Sequence, residues 1–220
     1  MSRRLAPDQR REAIVDAALT VARRHGLGAT TVRDVAAEMG TSSGLIHHYF
    51  ESMDDVLAAA FERAAGEDLA VAERALADAA DPVGAIRAFF GTYAPTDADP
   101  VFNLWLDAWS EAPRRPAVQA VSRRLNLGWQ DALRRTIVEG VERGMFRCAD
   151  PAAAAWRLLS LVDGLELQVV AHGTTVRRED VQAWTLAAAE RELGLRAGVL
   201  TRPRDGPSTA RGRAAAERRR

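Results

Sequence analysis

Between residues 41 and 49 the chain crowds small and hydrogen-bonding side chains together: Thr41, Ser42, Ser43, Gly44, His47, His48 and Tyr49. Ile46 and Phe50, four residues apart, mark its buried side. Small residues at the start of such a helix permit close approach to DNA. Hydroxyls, imidazoles and backbone N–H groups there can bond phosphates and base edges. The plain alternative is a solvated helical hairpin inside a larger bundle.

Other chemistry finds little support. The chain has four histidines, His25, His47, His48 and His172. His47 and His48 are adjacent, so on a helix they point about 100° apart and chelate one metal poorly. No HExxH, GxSxG or phosphate-cradling glycine loop occurs. We therefore expect no enzyme, no catalytic residue, no metal and no cofactor. The single cysteine, Cys148, excludes a disulfide within the chain and has no His or acid at ligand spacing. A cytoplasmic location suits it.

A second constellation is aromatic. Of the five tryptophans, Trp105 and Trp109 are four apart on one helical face, with Phe102 above them and Asp107 and Glu111 flanking. Trp129, Trp156 and Trp184 are scattered, and Asp163 and Glu166 lie further along. A pocket walled by tryptophan with a carboxylate suits a cation such as a quaternary ammonium or polyamine. The alternative is that these rings are simply core.

The elements that position the first group are legible in residues 30–57. Thr31 with Asp34 reads as an N-cap with a first-turn carboxylate. Val32, Val35, Ala36 and Met39 recur at helical spacing, and Gly40 supplies a stop. Ser42 is the next N-cap candidate. Ser52 caps once more, with Asp54 and Asp55 in the first turn of a third element. Two short helices joined by a tight turn exist mainly to push one helix into the DNA major groove.

A helix from Pro7 to His25, with Ile14, Ala17, Ala18, Val21 and Ala22 as its apolar stripe, should support that unit. The helix starting at Met53 is predicted to run to about Ala79, roughly 40 Å at 1.5 Å per residue. Asp81–Pro82 and Asp150–Pro151 are helix starts, each an N-cap followed by proline at the first helical position. Further helices are predicted over 101–112, 116–144, 151–172 and 178–193, with a turn or loop over 95–100. No strand-like alternation rises above noise, so the fold class is all-α.

At 220 residues the chain can bury a real core, and 47% hydrophobic residues exclude global disorder. The formal net charge is +0, so any DNA binding must come from local charge. All 30 basic residues are arginine, which suits bidentate phosphate contacts. Arg3, Arg4, Arg10 and Arg11 form a basic arm that either reaches DNA or is a solvated terminus. Residues 195–220, which hold Gly, Pro, Ser and many arginines with few large apolar residues, read as a disordered basic tail. No apolar run reaches 18 residues, so no membrane partner is expected.

Gly28, Thr30–Thr31, the helix Val32 to Met39, Gly40, Ser42, Gly44, the stretch His47 to Phe50 and the acidic start Ser52 to Leu57 together resemble the TetR family of transcriptional repressors. The specific likeness covers about the first quarter of the chain. The Phe102–Trp105–Trp109 pattern is similar to the branch containing the choline-responsive repressor. Two positions depart from the family pattern: His47 stands where Tyr is usual, and Met53 where a Lys normally reaches a DNA phosphate.

The resemblance implies a helix-turn-helix DNA-binding domain over 1–52 and a helical ligand-binding and dimerisation domain over 53–194. It implies a homodimer on a palindromic double-stranded DNA operator, released by a small-molecule inducer of cationic or aromatic character. Thr31, Arg33, Thr41, Ser42, Ser43, Gly44, His47, His48 and Tyr49 are the candidate DNA contacts. Phe90, Phe102, Trp105, Trp109, Trp129, Asp163 and Glu166 are the candidate ligand set. Leu158, Val162, Leu165, Val169, Val181 and Trp184 are the candidate dimer interface, on two helices whose apolar faces look too broad for one core. The rival reading is a helical protein-binding adaptor without specific DNA binding.

Overall fold

The computed structural model describes residues 6–92 and 100–201. Arg3, Arg4, the predicted loop at 95–99 and the tail from 202 onward lie outside the described residues. Among the described residues the secondary structure is helical throughout: α1 (Pro7–His25), α2 (Val32–Glu38), α3 (Ser43–Tyr49), α4 (Met53–Ala77), α5 (Pro82–Gly91), α6 (Pro100–Glu111), α7 (Pro116–Glu142), α8 (Pro151–Val170) and α9 (Arg178–Glu192).

Local chemistry explains most boundaries. At α2, the Thr31 hydroxyl accepts from the Asp34 N–H while the Asp34 carboxylate accepts from the Thr31 N–H at 3.0 Å, a reciprocal capping box. Ser52 and Asp55 repeat it at the start of α4. Asp81 and Asp150 accept from the N–H groups of Gly84 and Ala153. Helix α2 ends in a Schellman arrangement. Gly40 takes φ of 61°, and the Thr41 and Gly40 N–H groups donate to the carbonyls of Ala36 and Ala37.

Helix α1 buries Ile14, Ala17, Ala18, Val21 and Ala22, the predicted stripe. Ion pairs fix its neighbours: Arg24 bonds both carboxylate oxygens of Glu38 on α2, and Arg63 of α4 reaches Glu12 and Asp16 on α1. Helix α4 runs from the first three helices into the rest of the molecule and packs along α1, α5, α6 and α7. Helix α8 packs on α7 and α9.

Two expectations are corrected here. Arg10 and Arg11 do not belong to a free arm: both lie within α1, and the Arg11 guanidinium sits 4.5 Å above the Phe50 ring. Residues 195–201 do not begin a disordered tail. Leu200 is 1% exposed, and the buried Glu190 carboxylate accepts the N–H groups of Gly198, Leu200 and Thr201. Arg87 of α5 donates to the carbonyls of Val199 and Leu200. An acid on one side and a guanidinium on the other satisfy the peptide groups of this strap, which composition alone does not reveal.

Candidate nucleic-acid interface

Helix α3 is short, and its placement rests on Ile46 (1% exposed) and Phe50 (5% exposed), which bury into the core shared with α1, α2 and α4. With those two residues inward, His47 and His48 are exposed and Tyr49 is half-buried. The imidazole of His48 meets the Tyr49 ring edge to face at 5.1 Å, so the two rings hold each other. Ser42 and Gly44 are exposed, and Thr41 and Ser43 are half-buried.

The two smallest residues here are informative. Ser42 occupies the N-cap position, yet its hydroxyl makes no capping bond, contrary to the expected cap. A Cβ built on Gly44 meets nothing nearer than the Ser42 hydroxyl at 3.8 Å. Glycine inside a helix costs about 1 kcal/mol relative to alanine. The chain's own packing does not require a glycine at this position.

The remaining predicted contacts differ in availability. Arg33 is exposed on α2. The Thr31 hydroxyl is engaged with Asp34 in both directions, which leaves it less free than its exposure implies. Met53, where the family usually has Lys, is half-buried against the core.

In the second half of the chain the aromatic residues gather in two groups. Trp105 lies edge to face with Phe61 of α4 at 5.0 Å, tilts against Trp109 at 5.7 Å, and Trp109 meets Phe102 at 6.0 Å. Phe89 contacts both Phe90 and Trp129. Phe90, Phe102, Trp105 and Trp129 are buried, and Trp109 is half-buried.

The acids do not join the tryptophans as the spacing suggested. Asp107 and Glu111 turn towards the segment 26–28. Glu166 is 4% exposed and paired with Arg178 at 3.2 Å. Asp163 is half-buried, and burial, reinforced by the nearby Glu166 charge, pushes its carboxyl up to about 7. These two acids lie on α8, whereas Trp105 and Trp109 lie on α6; α7 is the neighbour both helices share.

The candidate dimer residues also divide. Leu158, Val162 and Val181 are 1%, 1% and 0% exposed and fill the chain's own core, so they cannot form a contact surface. Leu165 and Val169 are half-buried, and Trp184 is 49% exposed. Trp156, not among the predicted set, is 38% exposed on α8. Period alone could not tell a face buried by α7 from one left open.

Among the described residues no helix is long and apolar enough to cross a membrane.

Comparison with known proteins accounts for both halves. The family model "Bacterial regulatory proteins, tetR family" matches residues 14–60, and "BetI-type transcriptional repressor, C-terminal" matches residues 82–194. The chain is 32% identical over 163 residues to the HTH-type transcriptional regulator BetI of Paraburkholderia phytofirmans, covering 72% of this chain and 80% of that one. It is 33% identical to BetI of Rhizobium meliloti, over 72% of this chain and 77% of the relative. A solved regulator from Saccharomonospora viridis, in complex with choline, superposes with a TM-score of 0.72 at 26% identity, covering 81% of this chain and 94% of that one. One from Pseudomonas aeruginosa PAO1 gives 0.75 at 26% identity, covering 87% and 93%. The chain belongs to the TetR family of DNA-binding transcriptional regulators, with a BetI-type C-terminal domain.

Proposed function

We propose that this repressor binds a palindromic operator as a homodimer and is released by a small quaternary ammonium ligand, choline first among them. The observation that carries the DNA reading is the α3 surface: Ile46 and Phe50 locked inward, His47 and His48 exposed, Tyr49 half-buried beside His48, and a glycine at 44 that the chain's own packing does not need. Residues 1–52 serve as the DNA-binding domain, with Arg33, Thr41, Ser42, Ser43, His47, His48 and Tyr49 as contacts. Residues 53–194 serve ligand binding and dimerisation in a cytoplasmic regulator.

The choline class is supported by the BetI-type relatives, by the choline complex of the S. viridis regulator and by the aromatic group Phe102–Trp105–Trp109. Tryptophan faces attract quaternary ammonium groups. Dimerisation would use the outer faces of α8 and α9, where Trp156 and Trp184 are exposed and Leu165 and Val169 lie half-buried. A twofold pair of α3 helices would then enter major grooves about 34 Å apart. Ligand binding shifts α4, which runs from the recognition unit to the aromatic group, and the half-site spacing is lost. Titration of an operator complex with choline tests this reading: release at a defined concentration supports it, and an operator complex indifferent to choline and other quaternary amines removes the ligand class.

A further inference from the structure

We propose that Asp107 and Glu111 form a direct latch between α6 and the α1–α2 turn, by which the tryptophan-bearing helix sets the position of the recognition unit without passing through α4. The proposal deepens the function above, and its affinity arm rests on the DNA reading.

The Leu27 N–H donates to the Asp107 carboxylate at 2.8 Å, eighty residues away in sequence. The contact is tight on both sides. A Cβ on Gly26, which already holds φ of 86°, would lie 3.2 Å from the same carboxylate oxygen. A Cβ on Gly28 would lie 2.7 Å from a Glu111 carboxylate oxygen. Both acids thus press on bare backbone, and side chains at 26 and 28 would push them off.

Glu111 is itself held. Arg115 and Arg114 donate to it at 2.8 and 2.9 Å, and these bonds keep its carboxyl below the usual range. The same corner grips the start of α4, where the Ala117 N–H donates to Asp54 at 3.1 Å. On the other side, Leu27 is fully buried, and the turn is tied internally by the Thr30 hydroxyl donating to the Gly26 carbonyl at 2.9 Å. Thr31, the N-cap of α2, follows at once. A displacement of Leu27 therefore passes into α2 and, through the Gly40 turn, into α3.

Helical geometry supplies the coupling. Residues two apart lie about 200° round a helix, so Asp107 and Glu111 occupy the side of α6 away from Trp105 and Trp109. A rotation or slide of α6 that follows a change on the tryptophan side moves the latch on the other.

The test uses the full chain as wild type, Asp107→Ala and Asp107→Asn. Amide hydrogen exchange at residues 26–49 is read without ligand. Affinity is read on a duplex from upstream of the protein's own gene. In Asp107→Ala, exchange at Leu27 and across α2 and α3 is expected to rise about tenfold or more, and DNA affinity to fall about tenfold, the scale of one charge-assisted hydrogen bond. Asp107→Asn keeps an acceptor oxygen and should return both to near wild type. Unchanged Leu27 exchange in a folded Asp107→Ala protein overturns the latch, as does a loosened turn with unchanged affinity. If wild type binds no DNA, the DNA reading fails, while the exchange comparison still decides the latch.

Discussion

Phe61 of α4 and Trp105 of α6 meet edge to face, with ring centroids 5.0 Å apart. Phe61 is fully buried, so the helix that leaves the recognition unit and the helix that carries Trp105 and Trp109 share one well-packed joint. Phe61→Leu keeps apolar character but removes the aromatic contact. We expect a loss of about 1–2 kcal/mol in thermal or urea unfolding. Choline binding followed by tryptophan fluorescence should survive, while its effect on DNA affinity weakens.

Gly44→Ala separates stability from function. Nothing crowds the added methyl group, and α3 gains helix propensity, so the fold should gain up to about 1 kcal/mol. Operator affinity should fall because the methyl group meets DNA. A stabilised variant with full affinity would show that α3 does not approach DNA by this end. His48→Ala is expected to weaken operator binding by about 1–3 kcal/mol with little change in melting temperature, whereas Tyr49→Ala, which also removes packing on the core, should weaken binding and lower the melting temperature.

Glu190 anchors the strap at 198–201. Burial raises its carboxyl, but the N–H groups of Gly198, Leu200 and Thr201 outweigh that and leave it below the ordinary 4.5. A depressed acid stabilises the fold at pH above the unfolded value, and that contribution disappears as pH falls from about 4.5 through the lower folded value. Glu190→Ala should cost about 2–4 kcal/mol at pH 7, because it leaves buried N–H groups unmet. The deficit should shrink in acid, which denaturant titrations at pH 7 and 3.5 would measure.

Asp163 behaves in the opposite sense. Its carboxyl is raised to about 7 in the fold, so stability declines as pH climbs from about 4 to about 7 and is flat above. Asp163→Asn should remove that slope and stabilise the protein at pH 8 by a few kcal/mol at most. A cationic inducer held by this acid would favour its ionised form. Binding would then release a proton, and affinity would rise with pH up to about 7, in wild type but not in Asp163→Asn. Calorimetry in buffers of differing ionisation enthalpy measures that proton.

The sequence was most legible where the determining contacts are local. Thr31–Asp34, Ser52–Asp55, Asp81–Pro82 and Asp150–Pro151 act within one helical turn, and each helix begins where those residues indicate. Ile46 and Phe50 were readable as the inner side of α3 because few apolar residues competed for the role. What stayed hidden depends on contacts far apart in the chain. Asp107 stands between two tryptophans in sequence, but only the packed fold turns it to Leu27. Leu195, Val199 and Leu200 are diluted among glycine and arginine, and only a buried glutamate on α9 reveals that they are held. Leu158 and Val162 on α8 and Val181 on α9 read as apolar faces, but period alone does not say whether such a face is covered within the chain or by a second subunit.

Fluorescence anisotropy of a labelled duplex from upstream of the gene, titrated with protein with and without choline, decides whether this regulator is a choline-responsive DNA switch. We predict salt-dependent, sequence-specific binding that choline weakens by about tenfold or more. Binding that neither choline nor related quaternary amines weaken would rule that switch out.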